Sequence, residues 1–282
     1  MIDDIHGGDA YTAWQHWHEQ RVDTVSAPYG PLSLTATHWL ADYPEGRLPA
    51  VPGRWTETGG GVAVTAAAAD GITLDGRPLD NADGAEGADV GVVLGAGRHP
   101  AAAARLAHGE RHLVVLRREG QWGVRVFDPR APARAAFQGI EATPHRKDWV
   151  LTGTFRPFDA QRTVEVMNAD GRSRGLGLGG ELTFRHAGTE HTLQVAVDAD
   201  TGGLWAVFGD ATGGSTSYRF RFLKPAAPDA AGSVTVDFNR ALLPPCAFAD
   251  HFICPFPPPG NTLPFPVDAG ERRLKGALAE QN

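Results

Sequence analysis

The chain has 282 residues, a mass of 30.0 kDa, a formal net charge of -7 and an isoelectric point near 5.9. A protein of this charge has no broad positive field for a nucleic-acid backbone or an anionic membrane surface, so we expect neither partner. The 35 glycines and 21 prolines indicate many turns and few long helices. The length allows a sizeable core without disulfide bonds, and it does not specify an oligomeric state.

The N-terminal segment MIDDIHGGDAYTAW is acidic and lacks the apolar core of about 7–15 residues that a signal peptide requires. No stretch of the sequence reaches the ~18 apolar residues of a membrane span. We therefore expect a cytoplasmic protein without a membrane segment. In that compartment the two cysteines, Cys246 and Cys254, are expected to stay reduced.

The first predicted element is a helix over residues 9–25, DAYTAWQHWHEQRVDTV. Trp14, Trp17, Arg21 and Val25 recur at helical spacing, and Asp9 is placed to cap the first turn. The pattern predicts an amphipathic helix whose two tryptophans anchor it to the core.

After residue 30, short alternating apolar segments are separated by turn signals. The segments are LSLTATHWL, GVAVTA, GITLDG, HLVVLRR, WGVRVFD, WVLTGTF, RTVEVMN, ELTFRH, HTLQVAV, LWAVFGD, SYRFRFL and SVTVDF. GVAVTA and GITLDG flank an Ala-Asp-Gly turn, and most segments follow each other as hairpins do. The pattern predicts an all-β fold, a mostly antiparallel barrel or sandwich of about a dozen strands with an N-terminal helix.

We expect a single domain over residues 1–282, because no repeat or linker divides the chain. Its antiparallel core is predicted at 30–240, followed by an ordered loop rich in proline and cysteine at 241–271 and a tail at 272–282. The polar, glycine-rich segment DGRPLDNADGAEGADV is interpreted as an exposed loop within the domain.

Two glycine-rich segments resemble dinucleotide-binding loops. GLGLGG, residues 175–180, is followed by a predicted strand instead of the helix that such a loop requires, so we interpret it as a hairpin connection. In VGVVLGAGRHPAAAARL, Pro100 stands where the third glycine would be. We therefore expect no nucleotide or other cofactor.

Cys246, His251 and Cys254 have a spacing that could supply three zinc ligands. A disulfide across this step and two buried free thiols are the alternatives. No CxxC pair or second histidine cluster accompanies the three residues, so free thiols are preferred and no metal ligand is predicted.

Two long motifs carry a family resemblance. VDFNRALLPPCAFADHFICPFPPPGNTLPFPVDAGE contains a D-F-N-x-A strand end, a P-P-C-A turn, a C-P-x-P-P turn and a closing A-G-E, and FGDATGGSTSYRFRFLK forms a second block. In these motifs the chain resembles the bacterial and archaeal family known as domain of unknown function 1684 (DUF1684). The resemblance spans most of the chain, and it implies no particular activity.

The same two blocks contain the candidate site. In STSYRFRFL, Tyr218 alternates with Arg219 and Arg221, so the alternation predicts one aromatic face and one face with two guanidinium groups. By the same period, Asp237 and Asn239 share a strand face. We predict Asp237 and Glu271 as catalytic residues, and Arg221, Tyr218, Asp210, Asn239, Cys246 and Asn261 as ligand-binding residues.

These residues support two functional hypotheses and one structural interpretation. The first hypothesis is a small-molecule-binding or hydrolytic β-barrel protein with a polar pocket between the 208–223 strand and the 237–271 loop, where Arg221 would bind an anionic molecule. The alternative is a non-catalytic interaction or scaffold protein whose loop presents prolines and phenylalanines to a protein partner. Structurally, the same charged residues would form a buried network that holds the loop in place. The loop phenylalanines are Phe248, Phe252, Phe256 and Phe265.

Overall fold

The computed structural model describes residues 3–80, 92–96 and 101–276. The chain divides into two compact units, which we call the main unit, Met1–Val22 with Phe137–Asn282, and the inserted unit, Asp23–Ala136. Helix α1 (Asp3–Ser26) contains the first boundary between them. The single domain expected from the sequence stays a prediction. No helix among the described residues has the length and apolar composition needed to cross a membrane.

The described residues of the inserted unit form two antiparallel sheets. One has six strands in the order β1-β9-β8-β7-β4-β5, and the other has three in the order β2-β3-β6. The strands are β1 (Leu34–Trp39), β2 (Arg54–Thr58), β3 (Gly61–Thr65), β4 (Ile72–Leu74), β5 (Arg77–Pro78), β6 (Val92–Leu94), β7 (Leu106–His108), β8 (Arg111–Arg118) and β9 (Gln121–Phe127). A short helix, α2 (Pro132–Ala136), follows them.

The main unit contains a six-stranded antiparallel sheet in the order β15-β14-β13-β12-β11-β16 and a separate pair, β10-β17. Its strands are β10 (Ile140–Ala142), β11 (Val150–Met167), β12 (Ser173–His186), β13 (Thr189–Val197), β14 (Leu204–Phe208), β15 (Arg221–Leu223), β16 (Ser233–Asp237) and β17 (Glu271–Leu274). Residues 241–271, which we call the C-terminal segment, run between β16 and β17 as an ordered irregular chain.

Each unit has its own core, and strand alternation explains its composition. In β16, Val234 and Val236 are buried while Thr235 between them is exposed. In β12, Leu182 and Phe184 point to the same core because they are two residues apart.

The structure confirms the predicted fold class, since the protein is mostly antiparallel β with one long N-terminal helix and an ordered proline-rich C-terminal segment. The helix begins at Asp3, so Asp9 lies inside it and the prediction that Asp9 caps its first turn was wrong. Trp14 is buried and Trp17 half-buried. The strand orders of the six-stranded sheets are linear, and closure into a barrel stays a prediction.

Three local predictions were wrong. GVAVTA and GITLDG do not form a hairpin, because β3 pairs with β2 and β6 whereas β4 pairs with β5 and β7. WVLTGTF and RTVEVMN belong to one long strand, β11. GLGLGG lies within β12 instead of forming a hairpin connection. Here a Cβ at Gly180 would meet the Arg156 carbonyl oxygen at 2.4 Å, so close strand approach requires glycine at this position.

Some expectations fall on residues outside the described part of the chain. These are residues 81–91, which include most of the predicted exposed loop, residues 97–100 of the second glycine-rich segment, and residues 277–282 of the tail. The tail begins differently from the expectation, because Glu271–Leu274 form β17 and pair with β10.

Candidate functional site

Arg221, the first residue of β15, is completely buried. Its Nη2 donates hydrogen bonds to Oδ2 of Asp210 at 2.7 Å and to the Val267 carbonyl at 2.9 Å. Its Nη1 donates to the carbonyls of Ala269 at 2.6 Å and Glu271 at 3.2 Å. Arg221 therefore fixes the end of the C-terminal segment against β15, the strand to which Arg221 belongs.

Both carboxylate oxygens of Asp210 accept hydrogen bonds. Oδ1 accepts from the Thr212 amide at 2.8 Å, the Thr212 hydroxyl at 2.6 Å and the Val267 amide at 3.2 Å. Burial raises the pKa of Asp210, but the charge of Arg221 and the hydrogen bonds from Thr212 together outweigh burial, so this pKa lies below its ordinary value. Asp210 is thus an ionised partner of Arg221 whose oxygens are already occupied.

Glu271 is also completely buried, and its carboxylate faces helix α1. Oε1 accepts a hydrogen bond from Nε of Arg21 at 3.1 Å, and Oε2 accepts one from the Leu243 amide at 2.7 Å. Burial raises the pKa of Glu271, although the charge of Arg21 and the Leu243 amide act in the opposite direction. Arg21 also donates to the Leu243 carbonyl at 3.1 Å, so helix and C-terminal segment are joined by one polar cluster.

Asn239 and Asp237 lie together at the end of β16. Asp237 caps a short 3-10 turn at Phe238–Arg240, and its Oδ1 accepts from the amide of Asn239 at 3.0 Å and from its side-chain nitrogen at 2.9 Å. Asn239 pairs with the backbone of Arg146 through both side-chain atoms, each at 2.9 Å. Its carbonyl accepts from the indole nitrogen of Trp14 at 2.9 Å.

Asn261 joins two strands of the main sheet. Its Oδ1 accepts from the Gln194 amide at 2.8 Å, and its Nδ2 donates to the Gln194 carbonyl at 2.8 Å and the Val207 carbonyl at 2.9 Å. Gln194 is in β13 and Val207 is in β14. The side chain of Asn261 therefore gives backbone groups of both strands the hydrogen-bond partners that a neighbouring strand would otherwise provide.

The structure thus brings Arg221 and Asp210 into one buried cluster, while Asn239 and Asn261 bond to other parts of the backbone. Two geometric expectations were wrong. Arg219 and Arg221 do not share a strand face, because β15 begins only at Arg221 and leaves Arg219 exposed on irregular chain. Asp237 and Asn239 contact each other through the 3-10 cap, since the strand has already ended at Asp237.

Sequence reasoning missed Arg21 as the partner of Glu271 and Thr212 as a partner of Asp210. Arg21 follows Trp14 by seven residues, close to two helical turns, so both side chains lie on one face of α1. A charged residue on the face of a buried tryptophan was the available signal that a buried carboxylate lies opposite.

A second cluster contains both cysteines, which are buried and are not joined by a disulfide. The Tyr218 hydroxyl donates to Sγ of Cys246 at 3.6 Å, and the Cys246 amide donates to Sγ of Cys254 at 3.3 Å. The pKa of Cys246 is lowered, first by a hydrogen bond from the Cys254 thiol and further by Tyr218 and the charge of Arg219, against the effect of burial. The pKa of Tyr218 is raised by burial and by the neighbouring sulfur.

His251, the third residue of the zinc hypothesis, is exposed, whereas the cysteines are buried. Within residues 3–80, 92–96 and 101–276, no three His, Cys, Asp or Glu side chains are grouped so that they could hold a metal ion.

The loop phenylalanines contact other parts of the protein. Phe248 is buried and lies beneath the guanidinium of Arg21, 5.2 Å from its ring centroid, while Phe252, Phe256 and Phe265 are half-buried. Phe265 stacks on His186 with ring centroids 4.5 Å apart.

A groove of about 940 Å³ opens on the main unit beside the turn from β13 to β14. Its lining includes Trp205 and Phe222, whose rings meet edge to face at 5.2 Å, together with Val197, Asp198 and Lys224. None of the predicted catalytic or ligand-binding residues lines it. Of the two elements between which the pocket was predicted, only the 208–223 strand contributes to this groove, through Phe222.

Lys224 is the positive charge of the groove. As a whole residue it is exposed, yet partial desolvation lowers the pKa of its ammonium group, and the charge of Arg21 acts in the same direction. It makes no hydrogen bond or ion pair with the residues that the structure describes. Oδ1 of Asp198, by contrast, accepts from the amide and hydroxyl of Thr201, both at 2.8 Å, and so belongs to the turn.

Comparison with known proteins gives a family and a structural relative. The model of the family described as "Protein of unknown function (DUF1684)" matches residues 135–272. The solution NMR structure of an uncharacterised protein from gene locus rrnAC0354 of Haloarcula marismortui is 30% identical, covering 49% of this chain and 78% of that chain with a TM-score of 0.41. No curated protein matches the chain.

Proposed function

We propose that this chain, which belongs to the DUF1684 family, binds a small anionic molecule in the groove beside the β13–β14 turn. The observation that carries the proposal is the position of Lys224, an ammonium group without an ion-pair partner among the described residues, next to the aromatic pair Trp205 and Phe222. Small-molecule sites combine such an apolar wall with a few polar groups that orient the ligand.

The ligand's chemistry follows from the groove lining. An apolar or aromatic body would cover Trp205, Phe222 and Val197, and Val197 is 42% exposed as a residue. A carboxylate or similar anion on that body would pair with Lys224, whose partial desolvation favours gaining a counter-charge. The Arg21 charge, which also acts on Lys224, adds to the positive potential at this end of the groove.

The cluster of Arg221 and Asp210 supports a structural role instead of a ligand site. Both side chains are buried, and they form hydrogen bonds with each other and with neighbouring groups of the protein. A catalytic role for Asp237 or Glu271 and a hydrolytic activity stay predictions. The protein-partner alternative has less support, because Phe248 is buried and Phe265 is stacked on His186.

The test uses calorimetric titration with three probes of similar shape: benzoate, neutral benzamide and cationic benzylamine. We expect benzoate to bind more tightly than either other probe, and Lys224→Gln to remove that preference. The chain has three lysines, and Lys147→Gln is a matched control because Lys147 is exposed and does not line the groove. Equal binding of the three probes, no binding at millimolar concentration, or an unchanged preference in Lys224→Gln would contradict the proposal.

A further inference from the structure

The chain's two cysteines are separated by seven residues and meet in the C-terminal segment. The Cys246 amide donates to Sγ of Cys254 at 3.3 Å, and the Cys254 side chain is close enough to the Cys246 thiol to lower its pKa. No other cysteine is present in the sequence, so any disulfide within one molecule must join these two.

Backbone hydrogen bonds hold both cysteines in place. The Cys254 carbonyl accepts from the Ala169 amide at 2.9 Å, and the Phe256 amide donates to the Met167 carbonyl at 2.8 Å, which ties this part of the segment to the end of β11. Cys246 lies in a 3-10 turn at Pro245–Ala247. The thiols are thus brought together by the fold, and joining them requires no further ordering of the intervening chain.

The surroundings distinguish the two sulfurs. Sγ of Cys246 accepts a hydrogen bond from the Tyr218 hydroxyl at 3.6 Å. The guanidinium of Arg219 lies over the Tyr218 ring at 5.7 Å and over the Phe256 ring at 4.5 Å from the centroids, so a positive charge is held close to this sulfur. Hydrogen bonds and a nearby cation stabilise a thiolate, which is the nucleophilic form of cysteine.

We propose that Cys246 and Cys254 form a redox-active dithiol that a small hydroperoxide oxidises to an intramolecular disulfide. In the first step the Cys246 thiolate attacks one peroxide oxygen. An S–O bond forms, the O–O bond breaks, and hydroxide or alkoxide leaves, so sulfur is oxidised and peroxide reduced by two electrons. The Cys254 thiol then loses its proton and attacks the Cys246 sulfur, forming the S–S bond and releasing the hydroxyl group as water.

Burial selects the oxidant. Cys246 is 6% exposed and Cys254 5% exposed, so a compact molecule such as hydrogen peroxide reaches the sulfurs more readily than a bulky aromatic disulfide. The dithiol is also distinct from the proposed groove, because neither cysteine lines it.

The experiment treats the full chain with hydrogen peroxide and counts free thiols by alkylation and mass spectrometry after denaturation. We expect two free thiols to become none, a mass loss of two hydrogen atoms, and a peptide in which Cys246 is linked to Cys254. A thiol-reducing agent should restore both thiols. The native protein should oxidise faster than the same chain unfolded in denaturant, because the fold supplies the pairing.

Three variants assign the roles. Cys254→Ser should stop at a sulfenic acid on Cys246, which dimedone traps, and Cys246→Ser should give little trapped product at Cys254. Tyr218→Phe removes only the hydroxyl donor and should slow oxidation by about tenfold. Circular dichroism verifies the fold of each variant.

Several results would overturn the proposal. They are thiols that stay reduced in native protein while the unfolded chain oxidises, disulfides that form only between molecules, and a Tyr218→Phe rate equal to that of the wild type. Sulfenic acid that forms on Cys254 instead of Cys246 would also contradict it.

Discussion

The guanidinium of Arg221 and the carboxylate of Asp210 form an ion pair at 2.7 Å in which neither side chain is more than 2% exposed. The same guanidinium bonds three successive alternate carbonyls, those of Val267, Ala269 and Glu271. Its Nε has no hydrogen-bond partner in the described part of the chain, and the group lies over the Phe208 ring at 5.4 Å. One side chain thus replaces the strand that would otherwise hold residues 267–271.

Arg221→Ala should destabilise the main unit by about 3–5 kcal/mol, because it leaves a buried carboxylate and three carbonyls without their donor. The measurement is denaturant unfolding followed by tryptophan fluorescence. Arg156→Ala is the matched control, since Arg156 is exposed on β11, and it should change stability by less than about 0.5 kcal/mol. An Arg221→Ala midpoint equal to that of Arg156→Ala would show that the network contributes nothing to the fold.

The lowered pKa of Asp210 predicts a loss of stability in acid. Its folded pKa lies below the ordinary value of 3.8. Its contribution to the free energy of unfolding is therefore fully present above pH 3.8 and is lost as the pH falls from 3.8 through the folded pKa. Asp210→Asn should lack this part of the acid dependence. Urea titrations between neutral pH and pH ~3 measure it, and identical slopes for both proteins would refute the assignment.

The raised pKa of Glu271 predicts a pH dependence of stability that is opposite in sign to that of Asp210. The folded protein binds this proton more tightly than the unfolded chain, so the carboxyl reduces stability above its folded pKa, and this cost is relieved as the pH falls from there to the ordinary value of 4.5. Glu271→Gln should therefore show a smaller rise, or a steeper fall, in unfolding free energy than the wild type over that pH interval. A stability difference that does not vary with pH would count against it.

Asn261→Ala should destabilise the pairing of β13 with β14 by about 1–3 kcal/mol, because backbone groups of Gln194 and Val207 lose their partners. Hydrogen exchange reports this locally, since the Gln194 amide donates to the Asn261 side chain. We expect that amide to exchange faster while the amides of β8 keep their rates. Thr262→Ala, an exposed neighbour, should leave both unchanged.

Two glycines of β12 should respond differently to the same substitution. A Cβ at Gly180 would lie 2.4 Å from the Arg156 carbonyl oxygen, whereas one at Gly177 would meet only the mobile end of the Gln161 side chain. Gly180→Ala should cost roughly 1–3 kcal/mol more than Gly177→Ala, because backbone must move in the first case. Thermal melts compare the two, and equal melting temperatures would contradict the packing argument.

Alternation of apolar residues was enough to predict the fold class and most strands, because burial on one face repeats every second residue. It failed at the ends of strands, where the alternating pattern continues beyond the strand itself. Tyr218 and Arg219 continue the alternation of β15 although they precede it, and Asn239 continues that of β16 although a 3-10 turn has begun. The alternation of residues alone does not indicate where a strand begins or ends.

Long-range pairing was the second limit. The sequence indicated a buried network among the charged residues of the two motifs, but it did not indicate which of them pair. The partner of Glu271 is Arg21, 250 positions earlier in the chain. Local spacing can place Arg21 on the protein-facing side of its helix, but it cannot say which distant carboxylate lies opposite.

The bond between Arg21 and Glu271 also sets an order in time. At roughly 5–20 residues per second, the ribosome adds Glu271 about 12–50 seconds after Arg21. The interval between the synthesis of Trp14 and that of Asn239, whose carbonyl accepts its hydrogen bond, is almost as long. The whole inserted unit, Asp23–Ala136, is synthesised within that interval. The first helix made is therefore among the last to gain its polar contacts, and its buried tryptophan face must be kept from other partners in the nascent chain until then.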